Sequence, residues 1–199
     1  MRRLFDIDRK DYGQCTQTFV RNSARSIIIS DGKIAMVHCL KYDYYKFPGG
    51  GIKDGEDPAD AMIRETMEEA GLRVLPDTIQ EYGLVHRIQK STVVETECFI
   101  QDNYYYLCET ADIVETQNLD DYEAEERFTL EYVDPRIAIE TNLRPEHGPK
   151  DPVMLEREAM VLEMLIAEGF FKSQADRGRP FCYRNLAHYT EMDHMKPDR

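Results

Sequence analysis

The stretch Gly49–Leu72, GGGIKDGEDPADAMIRETMEEAGL, decides how this chain is read. Asp57 is a natural N-cap and Pro58 suits the first helical position, where its missing N–H costs nothing. Good helix formers follow as far as Gly71, a residue that readily takes the left-handed conformation ending a helix. The stretch therefore predicts a loop, a helix of about three to four turns, and a second loop. Glu65, Glu68 and Glu69 stand at i, i+3 and i+4, so their carboxylates are expected on one face, repelling one another unless something positive sits among them. Arg64, with Glu68 at i+4 and Glu56 brought near by the loop, is placed to orient the acids. A hard divalent cation is the other candidate, because Mg²⁺ prefers carboxylate and water oxygens and is commonly shared with substrate phosphates.

A solvated acidic helix face is the commoner meaning of such a run, and the spacing argues against it. Gly50, Glu56, Arg64, Glu65, Glu68, Glu69, Gly71 and Leu72 follow the order G-x5-E-x7-R-E-U-x-E-E-x-G-U, with U a bulky apolar residue. This resembles the Nudix box, the signature of the Nudix hydrolases. Thr66 departs from it, standing where an aliphatic residue is usual. It is β-branched and partly apolar, and is expected to pack under the helix without affecting the metal side.

The resemblance implies an α/β/α sandwich with a mixed β-sheet. It also implies hydrolysis of a nucleoside diphosphate linked to another group, by attack of water on a pyrophosphate phosphorus with Mg²⁺, or Mn²⁺ in its place, neutralising the phosphates. Catalytic roles fall on Arg64, Glu65, Glu68 and Glu69. The Mg²⁺ ligands are Glu68, Glu69, the Gly50 carbonyl and, in some members, Glu65. Glu56 supports Arg64 and the loop. Glu65 is the first choice of general base, since clustered carboxylates raise one another's pKa. Downstream alternatives for base or metal ligand are Glu126 and Glu131, with Glu123 and Glu125 in the same acidic stretch. A non-catalytic Nudix-like nucleotide sensor is the alternative function, although such modules often lose box carboxylates and all are present here. The catalytic Cys and Glu of an isoprenoid-diphosphate isomerase are not recognisable.

Outward from the box, Ala24–Ser30 and Lys33–Leu40 are β-rich runs around Asp31-Gly32, a two-residue hairpin signal. Tyr44, Tyr45 and Phe47 precede the glycine run. After the helix, Thr92–Gln101 and Tyr104–Thr110 read as a second hairpin turning at Asp102-Asn103. Residues 111–126 read as an acidic loop and Phe128–Val133 as a strand. Asp134-Pro135 opens a short helix through about Asn142, and Asp151-Pro152 opens the longest one, Pro152–Glu168, with Gly169 at its end. The expected division is an N-terminal arm or edge strand over 1–23, a Nudix hydrolase domain over 24–171 and a C-terminal extension over 172–199. That extension docks on the domain or on a partner chain, which leaves a homodimer open.

Composition adds limits. With no apolar run approaching a membrane span and no apolar core behind the basic N-terminal residues, the chain reads as a soluble cytoplasmic protein with no membrane partner. Cys15, Cys39, Cys98, Cys108 and Cys182 lack metal or disulfide spacing and read as reduced thiols. The 25 basic and 38 acidic residues give a net charge of −13, which disfavours long nucleic acid as a partner. A small nucleotide escorted by metal is the expected substrate. Arg21, Arg25, Lys33, Lys46, Lys53, Arg87 and Lys90 are the basic residues from which a local groove could form. No one substrate is selected, since Pro76 is the only proline between Arg73 and Gln89 and the accessory motifs of ADP-ribose, coenzyme A and NADH pyrophosphatases are missing. Trp is absent, so base stacking falls to other side chains, with Tyr44, Phe47 and Arg87 leading and Tyr45 and His86 behind them.

Overall fold

The computed structural model describes residues 1–171. In chain order these form β1 (Arg3–Asp8), β2 (Gln17–Val20), β3 (Ser23–Ile27), β4 (Ile29–Ser30), β5 (Lys33–Cys39), β6 (Tyr44–Lys46), β7 (Gly49–Gly51), α1 (Pro58–Ala70) and β8 (Leu72–Val74). Then come β9 (Gln80–Lys90), β10 (Glu97–Leu107), β11 (Thr110–Val114), α2 (Asp121–Glu125), β12 (Phe128–Val133), α3 (Pro135–Asn142) and α4 (Pro152–Ala167). The main mixed sheet runs β1-β9-β10-β3-β7, with β2 also on β10; a second sheet runs β12-β5-β4, with β6 on β5.

Asp31 and Gly32 both have positive φ, 50° and 75°, as a two-residue hairpin turn requires. Only β4 pairs across that turn, Ser30 with Lys33 and Ile29 with Ile34. Just before it, β3 lies in the main sheet between β10 and β7. The run read as one strand thus passes from one sheet to the other near Ile28. Ile27 joins a core with Phe47, Tyr105, Leu162 and Leu165 on the α4 side, and Ile28 one with Ala61, Met62 and Leu72 on the α1 side. Helices therefore cover the sheets on opposite sides, giving the α/β/α sandwich. No helix among the described residues is long and apolar enough to cross a membrane.

The second hairpin is displaced from its expected turn. β9 and β10 pair antiparallel from Lys90–Cys98 to Gln80–Leu107 and turn at residues 91–96, so Asp102 and Asn103 lie inside a continuous strand. Their polarity serves side-chain bonding instead. Asn103, fully buried, accepts from Ser23 Oγ (2.7 Å) and Arg157 Nη1 (2.6 Å), while Asp102 bonds His86 Nδ1 (2.7 Å). The stretch read as an acidic loop also carries β11 and α2, the latter closed by a capping box between Asp120 and Glu123. At the N-terminus, β1 is a parallel edge strand on β9 and β2 runs parallel on β10.

The box helix starts and stops where its caps predict. Asp57 accepts from Ala59 N–H (2.8 Å), and Gly71 takes φ 66° with its N–H on Met67 O. A Cβ on Gly71 would collide with the Glu115 carbonyl. Asp57→Ala is expected to cost about 1 kcal/mol through the lost cap. Gly71→Val should cost more, because a β-branched residue at positive φ adds strain to that collision. Urea melts check both, and an equal or smaller loss for Gly71→Val would contradict this account. Thr66 is fully buried and donates to Ser26 Oγ (2.9 Å), pinning α1 to β3. The long helix ends at Ala167, with Gly169 just beyond it at φ 85°. Cys15, Cys39, Cys98 and Cys108 are free thiols; Cys182 and the C-terminal extension lie outside the described residues.

Candidate active site

Arg64 is the hub of the box. Its Nε and Nη2 donate to the two Glu56 oxygens (2.8 and 2.9 Å), its Nη1 to Glu65 (2.6 Å) and Glu68 (3.1 Å), and Nη2 also reaches the Gly51 carbonyl (3.2 Å). One guanidinium thus ties three carboxylates to the glycine strand, a geometry its planar fork suits. The hydrogen bond from Arg64 holds the Glu56 carboxyl at about 2, against the cost of burial. This carboxyl's pKa is depressed, so its stabilisation is present above the ordinary carboxylate range and lost as pH falls through about 2. Glu56→Gln should therefore lower the melting temperature at pH 6, and the gap to the parent should close toward pH 2. A gap independent of pH would count against the ion pair.

The three helix acids do not share one face. Glu65 lies against Gly50 so closely that a Cβ there would meet its carboxylate. Glu69 points inward, 1% exposed, paired with Lys46 and accepting from the Gly49 N–H (3.0 Å). Glu68 is the most solvent-exposed of them and rests on Arg64. Glu69 turns inward because it continues the buried stripe of Ala61, Met62, Thr66 and Ala70. Burial pushes Glu69 up to about 7, with Lys46 and the Gly49 amide opposing.

Glu65, Glu69 and the Gly49–Gly51 strand form one wall of a cavity of about 630 Å³. Of the four downstream candidates Glu123, Glu125, Glu126 and Glu131, Glu123 is the one that lines this cavity, close enough to Glu69 to act on its titration. The expected alternatives lie elsewhere. Glu126 is bound by Lys150 (2.6 Å) and the Tyr44 hydroxyl (3.0 Å), behind the cavity wall. Glu131 accepts from Tyr45 and bonds His38 on the β5–β12 pair (3.0 Å each). The D-x-x-E spacing of Asp120 and Glu123 was the sequence signal for the turn of helix that selects Glu123.

The aromatic candidates separate as well. Tyr44 lines the cavity but is almost wholly buried. Phe47 does not line it: at 0% exposure its ring packs edge-on against Tyr105 (5.4 Å), its backbone N–H held by Glu158 (2.9 Å). Phe47 is thus a core residue and not a stacking platform, because Pro48 and the glycine strand carry the chain along the cavity while its side chain turns inward. Tyr45 stacks on His38 and His86 bonds Asp102. Arg87 does line the cavity, paired with Asp151 and lying over the Phe99 ring (5.3 Å). Four more of the wall cations are paired too: Arg25 and Arg157 with Glu158, Lys46 with Glu69 and Lys150 with Glu126.

Among the described residues no three His, Cys, Asp or Glu side chains converge as a ready cage for a metal ion; Arg64 and Lys46 hold the acids apart. Mg²⁺ needs no such cage, since it keeps several waters and takes only one or two carboxylates along with substrate phosphates. The hard oxygen donors of Glu65, Glu68, Glu69 and the Gly50 carbonyl fit it.

An α/β/α sandwich with a glycine strand and a capped acidic helix meeting at one cavity defines the class of this protein. The NUDIX domain model matches residues 20–155, well over half of the chain, and the chain belongs to the Nudix family. Among curated proteins it is 44% identical over 43 residues to the RNA pyrophosphohydrolase of Psychrobacter sp. (strain PRwf-1), spanning 22% of this chain and 25% of that protein. It is 38% identical over 53 residues to the RNA pyrophosphohydrolase of Stenotrophomonas maltophilia (strain K279a), spanning 27% and 25%. The match thus covers about a quarter of the length of these relatives. Among solved structures, a NUDIX hydrolase from Nitrosomonas europaea superposes with a TM-score of 0.52 at 16% identity, covering 76% of this chain and 90% of that one. At that identity the likeness bears on the fold.

Proposed function

We propose that this protein is a Mg²⁺-dependent pyrophosphohydrolase acting on a small nucleotide or nucleotide conjugate. The observation that carries the proposal is the Arg64 hub, which fixes Glu56, Glu65 and Glu68 against the glycine strand at the edge of a cavity large enough for a nucleotide. A bound divalent ion would supply charge neutralisation on the phosphate oxygens and acidify a water. Glu65, Glu68, Glu69 and the Gly50 carbonyl would hold it, and Mn²⁺ suits the same donors. Glu65 takes the proton as the water oxygen bonds to phosphorus; the anhydride P–O bond breaks and the leaving phosphate departs with the bonding pair. Arg64 orients the carboxylates and Lys46 balances the charge of Glu69. Glu123, which lines the same cavity, is the second candidate base.

The names of the curated relatives favour a second reading, in which the substrate is a phosphorylated RNA end. Against it stand the net charge of −13 and the pairing of nearly every wall cation with an acid of the chain itself, which leaves little to bind a strand. The test is a screen of products by anion-exchange chromatography, with and without Mg²⁺, across nucleoside triphosphates, sugar nucleotides, dinucleoside polyphosphates, ADP-ribose and triphosphorylated RNA. Metal-dependent turnover of a free nucleotide is expected. Preferential turnover of RNA ends would install the second reading, and binding without turnover of any substrate would identify a nucleotide sensor.

A further inference from the structure

One cation of the cavity wall differs from the rest. Arg21 makes no ion pair and no side-chain hydrogen bond to any of the described residues, and its guanidinium lies against Gly51, with Nε and Nη2 3.4 Å from where a Cβ there would sit. Gly51 is therefore flanked by two guanidiniums. Arg64 binds its carbonyl from the carboxylate side, and Arg21 faces the cavity. Its backbone is fixed: Arg21 falls at the break where β2 gives way to β3 along β10. There its N–H bonds Ile100 O (3.1 Å), while the next residue, Asn22, accepts from Ile52 N–H (3.0 Å) and Asp102 N–H (3.0 Å). An exposed arginine held beside the glycine strand of an acidic protein, without a counter-ion among the described residues, has the fork geometry that suits a phosphate or carboxylate.

Two residues earlier, Phe19 points to the same side of the extended chain, as a period of two requires, and it too lines the cavity. It is 46% exposed and sits opposite Phe99 in register, with ring centroids 6.1 Å apart. Phe99 is backed in turn by Arg87. Val93 and Val94 of the 91–96 turn add apolar surface to the same part of the wall. A free guanidinium beside the glycine strand, followed by an exposed aromatic platform, matches a phosphate bonded through a sugar to a planar base.

We propose that Phe19 and Arg21 form the substrate subsite of this cavity: Arg21 clamps a phosphate oxygen of the nucleotide and Phe19, with Phe99 behind it, stacks the base. This rests on the nucleotide reading above and specifies it, because a polyphosphate lacking a planar group would use only half of the subsite. The face that sets specificity then lies on β2 and the break that follows it, outside the Nudix box.

The test measures binding by calorimetry with the full chain in Mg²⁺, using two kinds of probe: inorganic tripolyphosphate, which has no base, and the α,β-methylene analogues of ATP and GTP. Phe19→Ala should weaken the nucleotide analogues about tenfold, the scale of one base–aromatic stack, and leave tripolyphosphate within about twofold. Phe19→Tyr should restore nucleotide binding. Arg21→Gln should weaken both probes about tenfold, the loss of one charge-assisted contact. Both side chains are exposed, so melting temperatures should not move. Equal loss of both probes in Phe19→Ala, unchanged tripolyphosphate binding in Arg21→Gln, or no binding of either probe by the parent would overturn the proposal. Turnover is scored separately: binding as expected with no hydrolysis removes the hydrolase reading and leaves the subsite standing.

Discussion

Glu65→Gln is expected to lower Mg²⁺-supported hydrolysis by about 10² or more, the range lost when a positioned proton acceptor is removed. The substitution keeps the side-chain volume and removes one charge. Arg64 retains Glu56 and Glu68 as partners, so the box should stay folded and the cavity keep its shape. Binding of a methylene nucleotide should therefore change far less than turnover, and a parallel loss of both would mean that Glu65 acts chiefly by holding substrate. Titrating the metal separates two roles. If Glu65 is only a ligand, high Mg²⁺ restores much of the rate; if it accepts the proton, saturating metal leaves the deficit in place. Glu123→Gln is the companion variant, because Glu123 lines the same cavity. Unchanged turnover in Glu65→Gln with a collapse in Glu123→Gln would move the base to α2.

Glu158→Gln should produce the largest loss of stability of any single polar substitution, about 3–5 kcal/mol, the range for breaking a buried charge network from one side. Glu158 is 0% exposed, bound by the Arg157 guanidinium, with Arg25 Nε at 3.6 Å and the Phe47 N–H at 2.9 Å. Burial works against its charge, yet Arg25 and Arg157 together hold its pKa below the usual carboxylate range. A neutral amide would leave both guanidiniums buried with no counter-charge, and such uncompensated charge is what makes the loss large. The effect should reach the site as well. Arg25 also donates to the carbonyls of Phe47 (3.0 Å) and Gly49 (3.2 Å), so this network holds the strand that faces Glu65 and Glu69. Chemical melts of the full chain give the stability, and a loss under 1 kcal/mol would mean that water reaches the network and screens it.

The residues of α1 were legible because their determinants are local. Asp57, Pro58 and Gly71 act on backbone groups within one turn, so cap, start and stop follow from neighbours in the chain. The same holds for Asp31-Gly32, whose positive φ values are a property of the turn itself. Asp102-Asn103 is likewise a turn-favouring pair, yet it lies inside a strand, because a polar pair in a strand and one at a turn differ only in partners far away in sequence. Here those partners are Ser23, His86 and Arg157. The placing of Phe47 is non-local for a related reason: whether a ring beside a glycine run faces a ligand or the core depends on Tyr105 and α4, which arrive from elsewhere.

By itself the sequence determined the box, its helix, the placing of Arg64 among Glu56, Glu65 and Glu68, and the family fold, since spacing along one helix and its entry loop carries all of these. Only the tertiary structure decided that Glu69 turns inward to Lys46, that Glu123 and not Glu126 or Glu131 faces the cavity, and that Arg21 stands without an acidic partner among the described residues. Those outcomes depend on which strands become neighbours. Pairing across the sheet brings together side chains whose separation in the chain is too long for any local pattern to encode.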